Sequence, residues 1–409
     1  MAVYCRCRES KMKFQITPQA AKAIPAAAID FKTLHARIAQ RILEPLFAAT
    51  LFAVLLVASG CMINRNLCSD DVSIGQTQGI LVHSASFCAY PGLVTLPDGN
   101  LLAAYQCNRL TLNTQLSTDQ GATWGSSSTV YSTVSPYELD AVDLALLPNG
   151  KIFLGFGLGP LPSWIGVPTY VIGMIGAGDV ITWSTPMSVS TPGWTAGCWG
   201  VTPVVPLANG DLLWPVWCYN NTTGTVPASS TVMLSSDGGL TWPKQITVGD
   251  GASGNDYDES AAAVYPNGDI VLIIRQSSTG AIDAYGTWWR SISTDNGNTW
   301  SVPVLVVNNT IVGRPTLALL PCGGLVLMGR AEIAGVSTTG FGTSWDEGLT
   351  FSKFTDLGFG IPGSNNIYSD EYDAMSILHD GSIAVVTAHS NSTTTNIDYR
   401  NLMQPCPSY

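Results

Sequence analysis

The chain has 409 residues, 46% of them hydrophobic and only 11% charged, with 41 Gly and 24 Pro. That apolar content supports a sizeable core, and the Gly and Pro demand many turns, which suits an all-β exported protein better than a helical cytosolic one. The formal charge is −11, yet eight of the eighteen Lys and Arg lie in residues 1–60; beyond them ten bases face 26 acids, which argues against a phosphate-binding, nucleic-acid surface.

At the N-terminus, Lys32, Arg37 and Arg41 precede an apolar run from Leu46 to Ala58, followed by Ser59-Gly60-Cys61. Such a run fits the hydrophobic region of an export signal, because a bilayer span needs about 20 residues. The expectation is an exported protein, released after cleavage or tethered by a lipid on Cys61. A short membrane anchor is the other reading, and membrane contact is confined to this segment. Residues 1–61 are therefore the export segment and 70–409 the folded domain.

From residue 93 onward one pattern recurs six times: an apolar strand, a turn ending in Gly, and a second apolar strand, as in LVTLPDGNLLAAY and AAVYPNGDIVLII. The turn glycines are Gly99, Gly150, Gly210, Gly268, Gly323 and Gly381, spaced by 51, 60, 58, 55 and 58 residues. Asp-Gly and Asn-Gly pairs supply the positive φ angles of a tight hairpin. The period fits a four-stranded blade plus loops, so the predicted fold class is all-β, a six-bladed β-propeller.

Between the hairpins a second motif, Ser-x-Asp-x-Gly-x-x-Trp, runs from Ser117 to Trp124, Ser235 to Trp242 and Ser293 to Trp300. A fourth copy, Ser344 to Phe351, ends in Phe, and the segment around Asp179 and Trp183 is a degraded one. The Asp accepts backbone N–H bonds inside the turn, the Gly takes a strained backbone angle and the aromatic packs between strands, so these carboxylates are structural.

These hairpins and motifs resemble the Asp boxes of the sialidase-like superfamily of six-bladed propellers over about residues 75–400. The resemblance implies a closed ring, which Cys68 and Cys406 would staple. Cys88 with Cys107 and Cys198 with Cys218 flank the first and third hairpins, two to three residues off ideal register, as cross-strand disulfides if a bulge absorbs the offset or as buried thiols if not. No CxxC or Cys/His cluster suggests zinc, and no metal or cofactor is expected.

In a propeller, equivalent positions of all blades ring the axis. Nine residues before the turn glycines stand Tyr90, Ala141, Val201, Glu259, Arg314 and Tyr372; ten before stand Ala89, Asp140, Gly200, Asp258, Gly313 and Glu371; seven after stand Gln106, Gly157, Trp217, Arg275, Arg330 and Ala388. Three of the ten bases beyond residue 60 thus fall on one annulus, as a binding site or as salt bridging at the blade mouths. By the resemblance, Glu259 corresponds to the family's catalytic glutamate, Arg275 to a carboxylate-binding arginine and Tyr372 to the nucleophilic tyrosine, with the Tyr372 hydroxyl within hydrogen-bond reach of Glu259. A phenol has a pKa near ~10 and needs a base. An arginine forks bidentately onto a carboxylate.

The chain also departs from the family pattern. Ala89-Tyr90-Pro91 stands where the family has Arg-Ile-Pro, and the stretch from Gln106 to Asn113 holds no counterpart of its acid/base aspartate. Arg314 and Arg330 could complete an arginine triad, Asp140 or Asp258 could serve as the acid, and Tyr90, Asp258 and Trp217 join the substrate-binding set. Trp164, Trp194, Trp199, Trp214, Trp217, Trp288 and Trp289 lie outside the Asp boxes, as core residues or as stacking surfaces for sugar rings. Three functions remain: an exo-acting hydrolase removing a terminal acidic sugar, a glycosidase or lyase using a carboxylate pair such as Asp140 and Glu259, and a non-catalytic glycan-binding propeller.

Overall fold

The computed structural model describes residues 72–403 except 85, 161–169, 179–180, 195–196, 201, 220–226, 278–285, 312, 334–335, 359–371 and 391–394. The expected export segment, the proposed Cys68–Cys406 staple, Asp179, Trp164, Val201 and Glu371 lie outside the described residues. Among those described, no helix is long and apolar enough to cross a membrane.

The fold is a six-bladed β-propeller. Blade 1 is built from Cys88–Thr95, Leu101–Cys107, Thr111–Ser117 and Ser128–Ser132. Blade 2 uses Tyr137–Leu146, Ile152–Pro160, Tyr170–Ala177 and Met187–Val189. Blade 3 begins with Cys198–Gly200 and Val205–Pro206 and continues with Leu212–Cys218, Ser229–Ser235 and Lys244–Gly249. Blade 4 holds Asp256–Val264, Ile270–Ser277, Gly286–Ser293 and Val304–Ile311; blade 5 holds Thr316–Leu319, Leu325–Ile333, Val336–Ser344 and Thr355–Asp356. Blade 6 takes Asp373–Ile377, Ile383–Ser390 and Thr395–Met403, and its outer strand is the first of the chain, Ser73–Ser84. The ring is therefore closed by hydrogen bonds between the first and last strands, which leaves no open end to the array.

Blades pack face to face, so the middle strands are buried on both sides and read as continuous apolar runs. Ile270 to Ile274 and Leu325 to Met328 are all fully buried, each such side chain contributing about 1.5–3 kcal/mol. The hairpin turns differ from the expected tight form. Only the glycine has positive φ, from 78° at Gly150 to 91° at Gly268. Its N–H donates to a carbonyl three residues back, as Gly99 does to Leu96 at 2.9 Å. The residue before it, Asp98, Asn149, Asn209, Asn267 or Asp380, accepts from the residue after it. The Asp or Asn is thus a side-chain cap, and the loop is a three-residue turn closed by a glycine bulge.

The four Asp boxes share one network. The serine hydroxyl donates to the aspartate at 2.8–2.9 Å and accepts from the glycine N–H at 2.8–3.0 Å. A threonine just before the aromatic, Thr123, Thr241, Thr299 or Thr350, donates its N–H to one carboxylate oxygen and its hydroxyl to the other. This threonine is a motif position the sequence pattern left unassigned. The Thr299 bonds hold the Asp295 carboxyl down at about 2. A depressed carboxyl stabilises the fold above its unfolded pKa near ~3.9, and that contribution is lost as pH falls toward 2. Thr299→Val should therefore lower stability at neutral pH, with the difference from the parent narrowing between about pH 4 and pH 2. Denaturant titrations at stepped pH would read this, and a difference unchanged at pH 2 would refute it.

Both hairpin cysteine pairs are disulfides: Cys88–Cys107 and Cys198–Cys218, each with Cα atoms 4.1 Å apart. In each case the two residues face one another directly across the hairpin. Blade 1 reaches this register because a bulge between Ala89 and Gly92 absorbs the expected offset.

Candidate active site

The same bulge recurs in three blades. It lies between Ala89 and Gly92, between Asp140 and Asp143, and between Tyr257 and Ser260, placing two residues opposite one each time. A bulge re-aims side chains at the rim of a sheet. Here the re-aimed pairs are Tyr90-Pro91, Ala141-Val142 and Asp258-Glu259. Tyr90 (φ 55°) and Ala141 (φ 53°) sit in the left-handed region, which is costly for residues with a Cβ.

Tyr372 precedes the inner strand of blade 6, where its carbonyl accepts from Ala388 N–H at 3.0 Å. Its ring centroid lies 4.6 Å from that of Tyr90. The guanidinium carbons of Arg314 and Arg330 stand 5.2 Å and 5.7 Å from the same ring centroid. Arg275, Arg314 and Arg330 are all buried, at 4–5% exposure. Arg275 donates to Glu259 Oε2 at 2.6 Å and lies 4.0 Å from Asp258 Oδ1. Asp258 also accepts from its neighbour's backbone N–H at 2.7 Å and from the Ser277 hydroxyl. Arg314 donates to the Asp373 carbonyl at 2.6 Å and faces Asp143 at 3.8 Å. Tyr90 donates to the Asp140 carboxyl, which also accepts the Ala141 N–H at 2.9 Å.

Burial dominates the electrostatics. It pushes Asp140 up to about 6, against the pull of Arg109 and the bonds from Ala141 and Tyr90. It pushes Asp143 up to about 8 despite Arg314, and it raises Asp258, with Arg275 opposing. The Tyr372 phenol is raised well above its ordinary value by burial and by the Glu259 charge, with Arg275 and Arg330 opposing. Tyr372 is therefore neutral at rest and can act as a nucleophile only if a base takes its proton. Among the described residues, no hydrogen bond joins Tyr372 to Glu259; Glu259 acts on the phenol through its charge while its Oε2 holds Arg275.

The structure thus brings together eight of the nine sequence-selected residues, Tyr90, Asp140, Asp258, Glu259, Arg275, Arg314, Arg330 and Tyr372, through these contacts and fields. The ninth, Trp217, lies on blade 3 and stacks on Trp199 with centroids 4.5 Å apart and planes 11° from parallel. Tyr219 meets both rings edge-on, and it feels Asp256, Asp258, Glu259 and Arg275, which ties this aromatic group to the charged cluster. Trp199, Trp214 and Trp288 are fully buried and belong to the core.

Four participants escaped the sequence reading: Arg109, Asp143, Tyr219 and Asp373. Arg109 (φ 57°) lies 3.7 Å from Glu138 and acts on Asp140. Its rarity as one of ten bases beyond residue 60 was the available signal. Asp143 stands seven residues before Gly150, where the other five blades carry Gly, Pro, Ala, Thr and Ala, so a charge at that offset was visible as an exception.

The BNR repeat-like domain family matches residues 141–353, which is more than half of the sequence. The chain belongs to the BNR repeat-like family. Among solved structures, this BNR repeat-like chain is similar to a protein of unknown function from Dyadobacter fermentans, with TM-score 0.66 and 17% identity over 81% of this chain and 98% of that one. It is also similar to a Hadza microbial sialidase, with TM-score 0.60 and 16% identity over 77% of this chain and 65% of that one. The intramolecular trans-sialidase of Ruminococcus gnavus, solved with oseltamivir carboxylate, gives 0.58 and 13% over 76% and 94%. No curated protein matches the sequence. At these identities the BNR repeat-like chain shares the sialidase propeller fold, and its chemistry has to be argued from its own residues.

Proposed function

We propose that this chain is an exported, exo-acting glycoside hydrolase that removes a terminal acidic sugar from glycans. The observation that carries the reading is the convergence of three buried arginines on Tyr372, with Glu259 and Asp140 beside it. Buried cations without a substrate are costly unless balanced. Here Arg275 is balanced by Glu259, while Asp143, which faces Arg314, is held largely protonated below about pH 8 by burial. A substrate carboxylate would be drawn to this cluster, and the three guanidinium groups would orient it. Tyr372 would then attack the anomeric carbon as its proton passes to Glu259. A neutral phenol avoids the repulsion that a carboxylate nucleophile would meet from a substrate carboxylate.

Asp140 supplies the acid. Its carboxyl keeps its proton up to about pH 6, so it can protonate the leaving oxygen in mildly acidic conditions. Ala89 stands where the sialidase pattern has its first-blade arginine, and the next residue, Tyr90, holds Asp140 by hydrogen bond and packs on Tyr372. That replacement favours a second reading, a glycan-binding propeller without turnover, in which Tyr90 fills space that substrate would otherwise use.

Release of free sugar from a panel of terminal sialosides and uronides separates the two. Hydrolysis of an acidic terminal sugar, with neutral glycosides untouched, is the expected result; binding without release would transfer the assignment to the second reading. On the active substrate, kcat/KM should fall about tenfold per pH unit above about pH 6 as Asp140 loses its proton, and Asp140→Asn should abolish that limb. A profile flat to pH 8 would remove Asp140 from the acid role.

A further inference from the structure

A second feature lies on the outer strand of blade 3, three strands out from the axial positions. A cleft of about 340 Å³ is lined by Pro192, Gly193, Trp194, Gln245, Thr247 and Asp250, at the small end of the range for ligand pockets. Its shape follows from sequence. Thr191-Pro192-Gly193-Trp194 forms a turn in which Trp194 N–H donates to Thr191 carbonyl at 3.2 Å and Gly193 takes φ 89°. Pro then Gly at the two central positions is the signature of a type II turn, and it places the partly buried Trp194 in the wall of the cleft. A Cβ at Gly193 would meet nothing within 4 Å, so the lip of the cleft is open.

The opposite wall comes from the strand Lys244–Gly249. Side chains alternate along a strand, so Gln245 and Thr247 face the cleft while Lys244 turns away and pairs with Asn298 of blade 4. Gln245 donates its amide to the Ser190 carbonyl at 3.0 Å, which fixes its orientation. Its Oε1 is then left buried with no hydrogen-bond partner among the described residues. Shielded from solvent, that oxygen is out of a ligand's reach, and Gln245 serves as a fixed wall of the cleft. Asp250 closes the far end, one oxygen accepting the Ala252 N–H at 2.9 Å.

We propose that this cleft is a second carbohydrate site, separate from the axial cluster, which takes a neutral hexopyranose unit. A tryptophan in the lining suits the C–H face of a pyranose ring, while the exposed Thr247 hydroxyl and Asp250 carboxylate suit its hydroxyl donors. Among the described residues no Lys or Arg lines the cleft, and Asp250 repels an acidic sugar, so the ligand class differs from that of the axial site. The cleft would anchor a glycan or polysaccharide while its acidic end is handled elsewhere.

Calorimetric titration of the full chain with lactose, cellotriose and mannotriose, and with a sialylated trisaccharide for contrast, tests this. At least one neutral probe should bind. Trp194→Ala and Gln245→Ala should each weaken it by about tenfold or more, and Trp194→Phe should retain most of it. Turnover of a small soluble acidic glycoside should be unchanged in all three. Because Trp194 also packs against a core cluster, melting curves accompany the variants, and Gln245→Ala carries the test if Trp194→Ala unfolds. Failure of every neutral probe to bind, or neutral binding unchanged in Gln245→Ala, would overturn the proposal. Binding of the sialylated probe alone, lost in Arg330→Met, would overturn it too while leaving the axial site intact.

Discussion

Tyr372→Phe is expected to lower kcat on a terminal acidic glycoside by about three orders of magnitude or more, with the melting temperature nearly unchanged. The variant deletes one oxygen and keeps the ring, so the packing on Tyr90 and the guanidinium contacts of Arg314 and Arg330 persist. What is lost is the nucleophile. Glu259→Gln should cost a similar factor in kcat and be strongly non-additive with the first, since the two act as one unit. The structure adds a second effect that the sequence alone did not suggest. Glu259 also holds Arg275 at 2.6 Å with both groups buried, and removing one partner of such a pair destabilises by about 3–5 kcal/mol. Thermal melts must therefore accompany the kinetics, and Glu259→Gln should melt lower than Tyr372→Phe. Tyr372→Phe retaining activity within tenfold of the parent would end the tyrosine mechanism. The carboxylate pair of Asp140 and Glu259 would then be the remaining catalytic candidate.

Gly121→Ala should be the most damaging small substitution in the Asp boxes. Gly121 has φ 88°, and a Cβ there would lie 2.3–2.5 Å from the ring carbons of Tyr399. Tyr399 is fully buried in Thr395–Met403, the strand that closes the ring with the first strand. On the other side, a Cβ at Gly79 of that first strand would sit 2.2 Å from the Gly121 carbonyl. The blade 1 Asp box is thus wedged against the closure itself. The left-handed backbone alone costs an alanine about 1–2 kcal/mol, and forcing a methyl into a packed core adds about 1–3 kcal/mol. A fall in melting temperature of about 3–7 °C follows for a domain of this size. Gly210→Ala provides the control, because it has φ 89° with nothing within 4 Å of its Cβ. It should show the backbone cost only. Equal shifts for the two variants would mean that the closure contact with Tyr399 contributes nothing.

Much of the architecture was readable because it is local. Blade number follows from six turn glycines at near-constant spacing. The Asp boxes follow from a bond pattern contained within eight residues, whereas each hairpin's cysteine pair stayed open between disulfide and thiols until the strand register decided it. Even so, local reading misassigned the turn: Asp98 and its equivalents cap an N–H and do not take positive φ.

The annulus of candidate residues was also legible, since equal offsets in equal blades reach equal places around an axis. What those residues do to one another was not. Arg275 pairs with Glu259 inside one blade, but Arg314 of blade 5 meets Asp143 of blade 2 and the Asp373 carbonyl of blade 6. Tyr90 reaches Asp140 of the next blade and Tyr372 of the last. The sequence by itself determined which blades exist and which side chains stand at their mouths, because hairpins and Asp boxes are held by bonds between near neighbours. Only the packing of the blades decided that Asp140 keeps its proton to about pH 6, that Glu259 pairs with Arg275 while its charge reaches Tyr372, and that Trp194 and Gln245 line one cleft. Those outcomes depend on burial and on charges brought together from distant parts of the chain, and neither quantity exists until the blades pack.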